Sequence, residues 1–270
     1  MGSKTKIDWA DATWNPVTGC LRGCEYCYAR RIAERFGSNQ MPIFTDYPVL
    51  DKPVRSVGFD GEKIQPYPFD FTPTFHRYKL DEPQRWKKPR NIFVCSMADL
   101  FGNWVPGEWI DDVIKATQRA LQHRYLFLTK NPERYGEWLE RFETCSIDGL
   151  DELENCWFGA SASNNAELER ANRSRAVWIS LEPIRERIET DEDQFMMFNP
   201  YTGAERKRWS WVVIGAETGN SKNKVVPKKE WIQEIADICR QEGTPVFMKE
   251  SLRDLMGDGF RQEYPWRCEI

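Results

Sequence analysis

Three cysteines lie close together near the start of the sequence. Cys20, Cys24 and Cys27 are separated by three and then by two residues, and Tyr26 stands directly before the last of them. Thiolates are the usual protein ligands of iron–sulfur clusters. A [4Fe-4S] cluster has four irons, so a loop with three thiolates leaves one iron open to a small molecule. The spacing therefore predicts a [4Fe-4S] site formed by these three cysteines.

Two other roles of the cysteines stay open. Zinc prefers four ligands, commonly as two pairs of Cys or His residues. The chain has no second C-x2-C pair, and its two histidines, His76 and His123, are distant in sequence. Structural thiols without a metal are the other possibility. A non-catalytic zinc or iron–sulfur binding module is therefore the alternative to an enzyme.

The C-x3-C-x2-C spacing, with an aromatic residue before the third cysteine, resembles the signature of radical S-adenosylmethionine (SAM) enzymes. The resemblance implies that SAM binds the open iron through its amino and carboxylate groups. It also implies that reductive cleavage of SAM yields a 5′-deoxyadenosyl radical, which abstracts hydrogen from a substrate. A reductant protein such as a flavodoxin or a ferredoxin would supply the electron.

The elements on either side must hold the cysteine loop in place. Residues 17–19 are predicted to end a first strand, and the apolar spacing over residues 28–36 predicts a helix that stops at Gly37. A strand, a metal-binding loop and a helix in this order are typical of the start of a βα unit.

From residue 91 onward, short apolar strands alternate with amphipathic helices. The predicted strands are 92–95, 125–128, 156–159, 177–180, 211–214 and 245–248, and the predicted helices are 109–121, 132–142, 165–175 and 229–241. This alternation is typical of a parallel sheet that is buried on both faces. We therefore predict an α/β fold, a full or partial (β/α) TIM-like barrel of the radical SAM type, in a single domain over residues 1–270. An open doubly wound sheet is the alternative.

Residues 38–90 interrupt this pattern. They contain eight of the sixteen prolines and many aromatic residues, and proline is excluded from long helices and central strands. We interpret the segment as an insertion with a short strand at 74–76, which would be an eighth strand of the sheet. It is either a lid near the active site or a wrap over the surface.

Polar residues follow most of the predicted strands, where α/β barrels place their active sites. For SAM, charge assigns Lys130 to the carboxylate group, and Ser96 with Asp99, or Glu182 with Glu217, to the amino group. The cofactor-binding candidates are Tyr26, Tyr28, Ser96, Asp99, Lys130 and Ser161, and the catalytic candidates are Glu182, Glu217 and Lys249. The two tyrosines would pack near the adenine.

Each of these residues has a simpler alternative role. Asp99 is in a position to cap a helix, Glu182 and Glu217 to form salt bridges with lysines, and Lys249 to lie in solvent. Radical SAM enzymes often carry a Gly-Gly-Glu motif for the SAM amino group. This sequence has none, and the segment 96–99 is the substitute.

Composition excludes several classes of protein. The net charge of −4 and the pI of about 5.5 are unlike those of a globally basic nucleic-acid binder. No apolar run reaches the roughly 18 residues of a membrane span and no signal peptide is evident, so we expect a cytoplasmic protein with reduced thiols and no membrane partner.

Several longer phrases resemble one family, the phage and prophage proteins of unknown function that are distantly similar to spore photoproduct lyase. They lie at residues 13–20, 27–29, 96–101, 128–134, 180–183 and 215–219. This resemblance implies a nucleic-acid base or nucleotide as substrate, such as an amino-acid-modified thymine that is rearranged during phage DNA hypermodification. The alternatives are photoproduct-lyase-like DNA repair, or a peptide or small metabolite as substrate.

Local basic stretches are compatible with DNA as a partner. They lie at residues 85–90, 170–175, 206–208 and 222–229. The simpler interpretation of such stretches is a solvated helix or loop face.

Overall fold

The structure, a computed structural model, describes residues 5–37, 46–58, 61–145, 153–190, 195–198, 205–218 and 224–266. Its strands are β1 (Ala12–Trp14), β2 (Val17–Thr18), β3 (Val49–Leu50), β4 (Arg55–Gly58), β5 (Gly61–Ile64), β6 (Thr74–His76), β7 (Asn91–Val94), β8 (Arg124–Thr129), β9 (Cys156–Ala162), β10 (Trp178–Leu181), β11 (Met196–Phe198), β12 (Glu205–Lys207), β13 (Trp211–Ile214) and β14 (Val246–Met248). Its α-helices are α1 (Tyr28–Phe36), α2 (Gly107–Gln118), α3 (Arg134–Cys145), α4 (Asn165–Asn172), α5 (Lys229–Gln241) and α6 (Arg253–Met256).

Seven strands form the main sheet, in the order β1-β7-β8-β9-β10-β13-β14. Every pairing whose register is described in this sheet is parallel. The predicted α/β fold with a parallel sheet is therefore confirmed. In the described residues β1 and β14 are the two end strands, so an open order of seven strands is observed and a full barrel is not confirmed.

Tryptophan packing illustrates why these segments become central strands. β10 and β13 are buried along their whole length, as expected for apolar strands covered on both faces. Trp178 pairs in register with Trp211 on one side and with Gly159 on the other. A Cβ atom at Gly159 would lie 2.2 Å from the Trp178 ring, so a glycine is required where the indole crosses the neighbouring strand.

Two predictions about strands near the cysteines are corrected. The strand of the main sheet is β1, whereas residues 17–18 form β2 in a separate three-stranded sheet of order β2-β6-β3. The strand at Thr74–His76 is confirmed, but its assignment as an eighth strand of the main sheet is wrong. The chain leaves the main sheet at Pro16, which has no N–H to donate and whose carbonyl accepts a hydrogen bond from the His76 amide at 2.7 Å.

The helix predictions hold where apolar spacing is clear. α1 and α5 have the predicted bounds, and α2, α3 and α4 differ only at their ends, where sequence signals are weakest. No helix among the described residues combines the length and the apolar character that a bilayer span requires.

The chain divides into two compact units. Unit 1 comprises Met1–Thr129 and Glu140–Cys156, and unit 2 comprises Lys130–Leu139 and Trp157–Ile270. Unit 1 contains the cysteine loop and the described parts of the insertion, whereas unit 2 contains β10, β13 and β14. The single domain over residues 1–270 stays a prediction.

His76 is a buried anchor of the three-stranded sheet in unit 1. Its side chain has no exposed surface, and its Nε2 lies 2.8 Å from the hydroxyl of Thr18, two residues before Cys20. Burial, with a smaller effect of the Lys79 charge, lowers the pKa of His76 to about 3. The imidazole is therefore neutral across the physiological range, and it joins β6 to the strand that enters the cysteine loop.

The lowered pKa of His76 predicts a loss of stability in acid. The unfolded chain binds this proton near pH 6.5, and the folded chain only near pH 3. Between these values the unfolded state binds more protons, so the free energy of unfolding falls as the pH falls, by up to about 1.4 kcal/mol per pH unit from this group.

Urea unfolding between pH 7 and pH 4 measures this effect. The slope of stability against pH should be shallower in His76→Gln than in the wild type, with His123 present in both proteins. Equal slopes of stability against pH in the two proteins would contradict the lowered pKa of His76.

Candidate active site

The cysteine loop is fixed at both ends by backbone hydrogen bonds. The Gly19 amide donates to the carbonyl of Met97 at 2.9 Å, and the Cys20 amide donates to the carbonyl of Phe71 at 3.1 Å. At the other end Cys27 caps α1, and its Sγ accepts a hydrogen bond from the Arg30 amide at 3.4 Å. The Arg30 guanidinium donates back to the carbonyl of Cys20 at 3.1 Å, which closes the loop on itself.

Gly19 is required for this arrangement. Its φ of +88° belongs to the left-handed region, and a Cβ atom there would lie 2.3 Å from the carbonyl oxygen of Thr72. Any side chain would push the loop away from the segment 71–73. This part of the insertion therefore contacts the cysteine loop directly and does more than cover the surface.

The three thiols are half-buried and lie within electrostatic range of one another. Burial, opposed in part by the hydrogen bond from the Arg22 amide and helped by the charges of Asp99, Cys24 and Cys27, raises the pKa of the Cys20 thiol to about 11. Within the described ranges, no group of three or more Cys, His, Asp or Glu side chains surrounds a single point where one metal ion would bind. Thiolates that ligate a cluster bind separate irons, so they do not converge on one point.

The segment after β7 lies beside the cysteine loop. The Asn15 side-chain oxygen accepts hydrogen bonds from the Ser96 hydroxyl and the Met97 amide, both at 3.1 Å. The hydroxyl of Tyr28 donates to the Ser96 carbonyl at 2.6 Å, so α1 is tied to this segment. The backbone carbonyl of Tyr26 accepts a hydrogen bond from the Arg31 guanidinium at 3.3 Å, which is a second link between the cysteine loop and α1.

Asp99 is buried and has a structural role. One carboxylate oxygen accepts hydrogen bonds from the Thr129 hydroxyl at 2.6 Å and from the Phe101 amide at 3.2 Å. The bond to the amide two residues later closes a turn, which resembles the capping role that the sequence left open. The carboxylate therefore combines that role with a position near the Cys20 thiol.

Unit 2 holds the remaining five candidates, and four of them form two pairs. Lys130 donates to the Ser161 hydroxyl at 3.0 Å. Lys249 forms a half-buried salt bridge with Glu182, with 2.6 Å between Nζ and Oε1. The salt bridge that was the alternative role of Glu182 is thus present. Lys249 is half-buried, so its alternative role as a solvent-exposed lysine does not apply. Glu217 is buried, with 6% of its surface exposed.

The basic stretches divide into structural and exposed residues. Arg208 is buried and donates to four backbone carbonyls at and beyond the end of α4, at 2.7 to 3.2 Å. Arg170 pairs with Glu133. We therefore interpret these two arginines as structural residues and not as DNA contacts. In unit 1, Lys87 and Lys88 are exposed.

A family model described as a protein of unknown function (DUF5131) matches residues 4–253. The chain belongs to the DUF5131 family. No curated protein matches the sequence. The predicted resemblance to a family of unknown function is therefore confirmed.

Among solved structures, this DUF5131 chain is similar to spore photoproduct lyase. A structure of that lyase with a dinucleoside spore photoproduct has a TM-score of 0.53 and 12% identity, over 92% of this chain and 79% of that chain. A lyase variant with bound AdoMet and the same dinucleoside has a TM-score of 0.50 and 10% identity, over 91% of this chain and 78% of that chain. At these identities the similarity shows a common fold.

Sequence reasoning missed several residues that shape the site of this DUF5131 chain. Asn15, Arg30 and Gly215 were not among the candidate site residues from the sequence. Asn15 precedes a proline between two short strands, which is the signal that marks a turn. The distant partners of Arg30 and Gly215 have no sequence signal.

Gly215 makes room for the Glu182 side chain. A Cβ atom at Gly215 would lie 2.9 Å from the carboxyl carbon of Glu182. We therefore expect Gly215→Ala to displace Glu182 from Lys249, because the half-buried carboxylate has to move by several tenths of an ångström or rotate.

A crystal structure of Gly215→Ala measures the Nζ–Oε1 distance, and thermal unfolding measures the loss of stability. Gly136→Ala is the matched control, because an added Cβ there meets nothing within 4 Å. Gly136 lies in the first turn of α3, so this control should be as stable as the wild type or more stable, by at most about 0.5–1 kcal/mol. An unchanged salt bridge in Gly215→Ala would contradict the conclusion that Gly215 makes room for the Glu182 side chain.

Proposed function

We propose that this chain is a radical SAM enzyme whose [4Fe-4S] cluster is held by Cys20, Cys24 and Cys27. The cysteine loop carries the proposal. The charges of Cys24 and Cys27 act on the Cys20 thiol, the backbone of the loop is held on both sides, and its last cysteine caps a helix. The common fold with spore photoproduct lyase supports it.

The residues of the loop fit such a cluster. Cys27 is the N-cap residue of α1, whose first turn has no acidic residue, so the positive end of the helix dipole faces the place of an anionic cluster. Arg30 adds a positive charge beside Cys20. The bound cluster and SAM supply reductive cleavage of SAM and hydrogen abstraction by the 5′-deoxyadenosyl radical, whereas the protein supplies binding and orientation.

The remaining roles follow charge and hydrogen bonding. We assign the SAM amino group to acceptors at Ser96 and Asp99 in unit 1, with Tyr26 and Tyr28 beside the adenine. Lys130, oriented by Ser161, is assigned to the SAM carboxylate, since a lysine ammonium pairs well with a carboxylate.

Glu182, Glu217 and Lys249 are assigned to the substrate. Lys249 and Glu182 form a salt bridge at 2.6 Å, so a proton can pass between them without either group being left as an unpaired buried charge. Their place in the proposed reaction is to orient the substrate and to move a proton at the carboxylate of Glu182.

For the substrate we propose a nucleic-acid base or nucleotide, such as an amino-acid-modified thymine in phage DNA. The support is the fold shared with a lyase whose structures contain a dinucleoside photoproduct and AdoMet. Repair of a DNA lesion is the second candidate on the same observation. A peptide or small metabolite is the alternative substrate.

The cluster assignment predicts that Cys24→Ala loses most of its iron. Two thiolates hold a four-iron cluster far less tightly than three, so iron and sulfide content after anaerobic reconstitution should fall to a small fraction of the wild-type value. Cys156→Ala is the matched control, because Cys156 is buried beside Thr117 and is not part of the loop. A full cluster in Cys24→Ala would contradict the assignment.

Electron paramagnetic resonance of the reduced protein tests the SAM site. We expect a four-iron signal that shifts when SAM is added, together with formation of 5′-deoxyadenosine. A signal that is indifferent to SAM, or one zinc and no iron in anaerobically purified protein, would favour a non-catalytic module.

DNA as substrate predicts binding that depends on salt. If basic side chains contact several phosphates, the logarithm of the affinity falls linearly with the logarithm of the salt concentration, with a slope of about −0.9 per phosphate. A titration of duplex and single-stranded DNA between 50 and 200 mM salt measures this slope. No binding at the lower salt concentration would point to a peptide or metabolite instead.

A further inference from the structure

Helix α1 has apolar side chains on two faces. On one face Ala29 and Ala33 are buried against Phe71 and Met97. On the other, Tyr28, Ile32 and Phe36 are 46%, 37% and 53% exposed, and their spacing of four residues aligns them along the helix. An amphipathic surface helix normally places polar residues there.

The second face also carries positive charge. Arg31 and Arg35 are exposed and occupy the positions just before Ile32 and Phe36. The guanidinium of Arg35 lies 5.3 Å from the centre of the Phe36 ring, so charge and apolar surface form one patch. The name α1 face is used for Ile32, Phe36, Arg31 and Arg35.

The chemistry of the α1 face fits a protein partner with negative charge. Exposed apolar groups that cluster mark interaction sites, and aromatic residues with arginine are typical of the central parts of protein interfaces. The chain has a net charge of −4, so a local basic patch steers acidic partners to this position. Nucleic acid fits less well, because the charge of the α1 face comes from two arginines one helical turn apart and the adjacent row of Ile32 and Phe36 is apolar.

The position of the face identifies the kind of partner. α1 begins directly after Cys27 and has nine residues, so its whole length is about 13 Å. A protein docked on α1 therefore lies within a short distance of the proposed cluster, which would have to be reduced by one electron before SAM is cleaved.

We propose that the α1 face is the docking surface for an acidic one-electron donor protein, with a reduced flavin or iron–sulfur centre. The donor is oxidised by one electron and the cluster is reduced by one electron, so no other reactant is needed. This inference rests on the proposed function, since it requires the cluster to be present.

The test compares two sources of electrons with the same enzyme. Formation of 5′-deoxyadenosine is measured with sodium dithionite and, separately, with a reduced bacterial flavodoxin. The variants are Arg35→Glu, which reverses one charge, and Ile32→Ser, which removes apolar surface without changing charge. Lys87→Glu is the matched control, because it reverses an exposed charge elsewhere in unit 1.

At low salt we expect the flavodoxin-driven rate of Arg35→Glu to fall at least tenfold and that of Ile32→Ser at least threefold. With dithionite all three variants should stay within twofold of the wild type. The wild-type rate with flavodoxin should fall as salt increases, and the rate of Arg35→Glu should depend less on salt.

Other outcomes separate the two proposals. No product from the wild type with dithionite would overturn the proposed function, and this inference with it. Product with dithionite, but an unchanged flavodoxin-driven rate in Arg35→Glu, would overturn this inference alone. Weaker DNA binding by Arg35→Glu with an unchanged flavodoxin-driven rate would make the α1 face a nucleic-acid surface instead.

Discussion

The close approach of Gly19 to Thr72 is the constraint on which the cysteine loop depends. The backbone of the loop lies so near the insertion that a Cβ atom at Gly19 would be 2.3 Å from the Thr72 carbonyl oxygen. This contact allows the Cys20 amide to bond to Phe71. Phe71 in turn packs against α1. The loop, the helix and the insertion therefore stabilise one another, and Cys20 and Cys27 are fixed at the two ends of the loop.

Unit 2 uses a different principle to position its polar residues. Parallel strands that are buried along their length end at the same edge of the sheet, and the polar residues at their ends form pairs. Lys249 meets the opposite charge of Glu182, and Lys130 donates a hydrogen bond to the neutral hydroxyl of Ser161. A partly buried charge that has such a partner costs less free energy than one that has none. Gly215 supplies the space that the first pair needs.

Features that depend on neighbouring residues were predicted from the sequence, whereas features that depend on distant residues were not. The bounds of α1 were predicted because its apolar spacing and Gly37 are local signals. The place of β2 and β6 was not, because it depends on where the chain turns at Pro16 and on the distant His76. Arg208 reads as part of a basic stretch in sequence, but it caps the end of α4 in the structure. Charge is visible in a sequence, whereas the groups that surround it are not.

The sequence by itself was enough to predict the alternation of strands and helices, the cysteine spacing and the polar residues that follow the strands. These patterns depend only on residues that are close together in the sequence. Which of those polar residues pair, and that the α1 face remains exposed beside the thiols, were decided by contacts between segments far apart in the chain. Lys249 meets Glu182 across 67 residues and Tyr28 meets Ser96 across 68, because packing against a shared core, and not local propensity, brings such segments together.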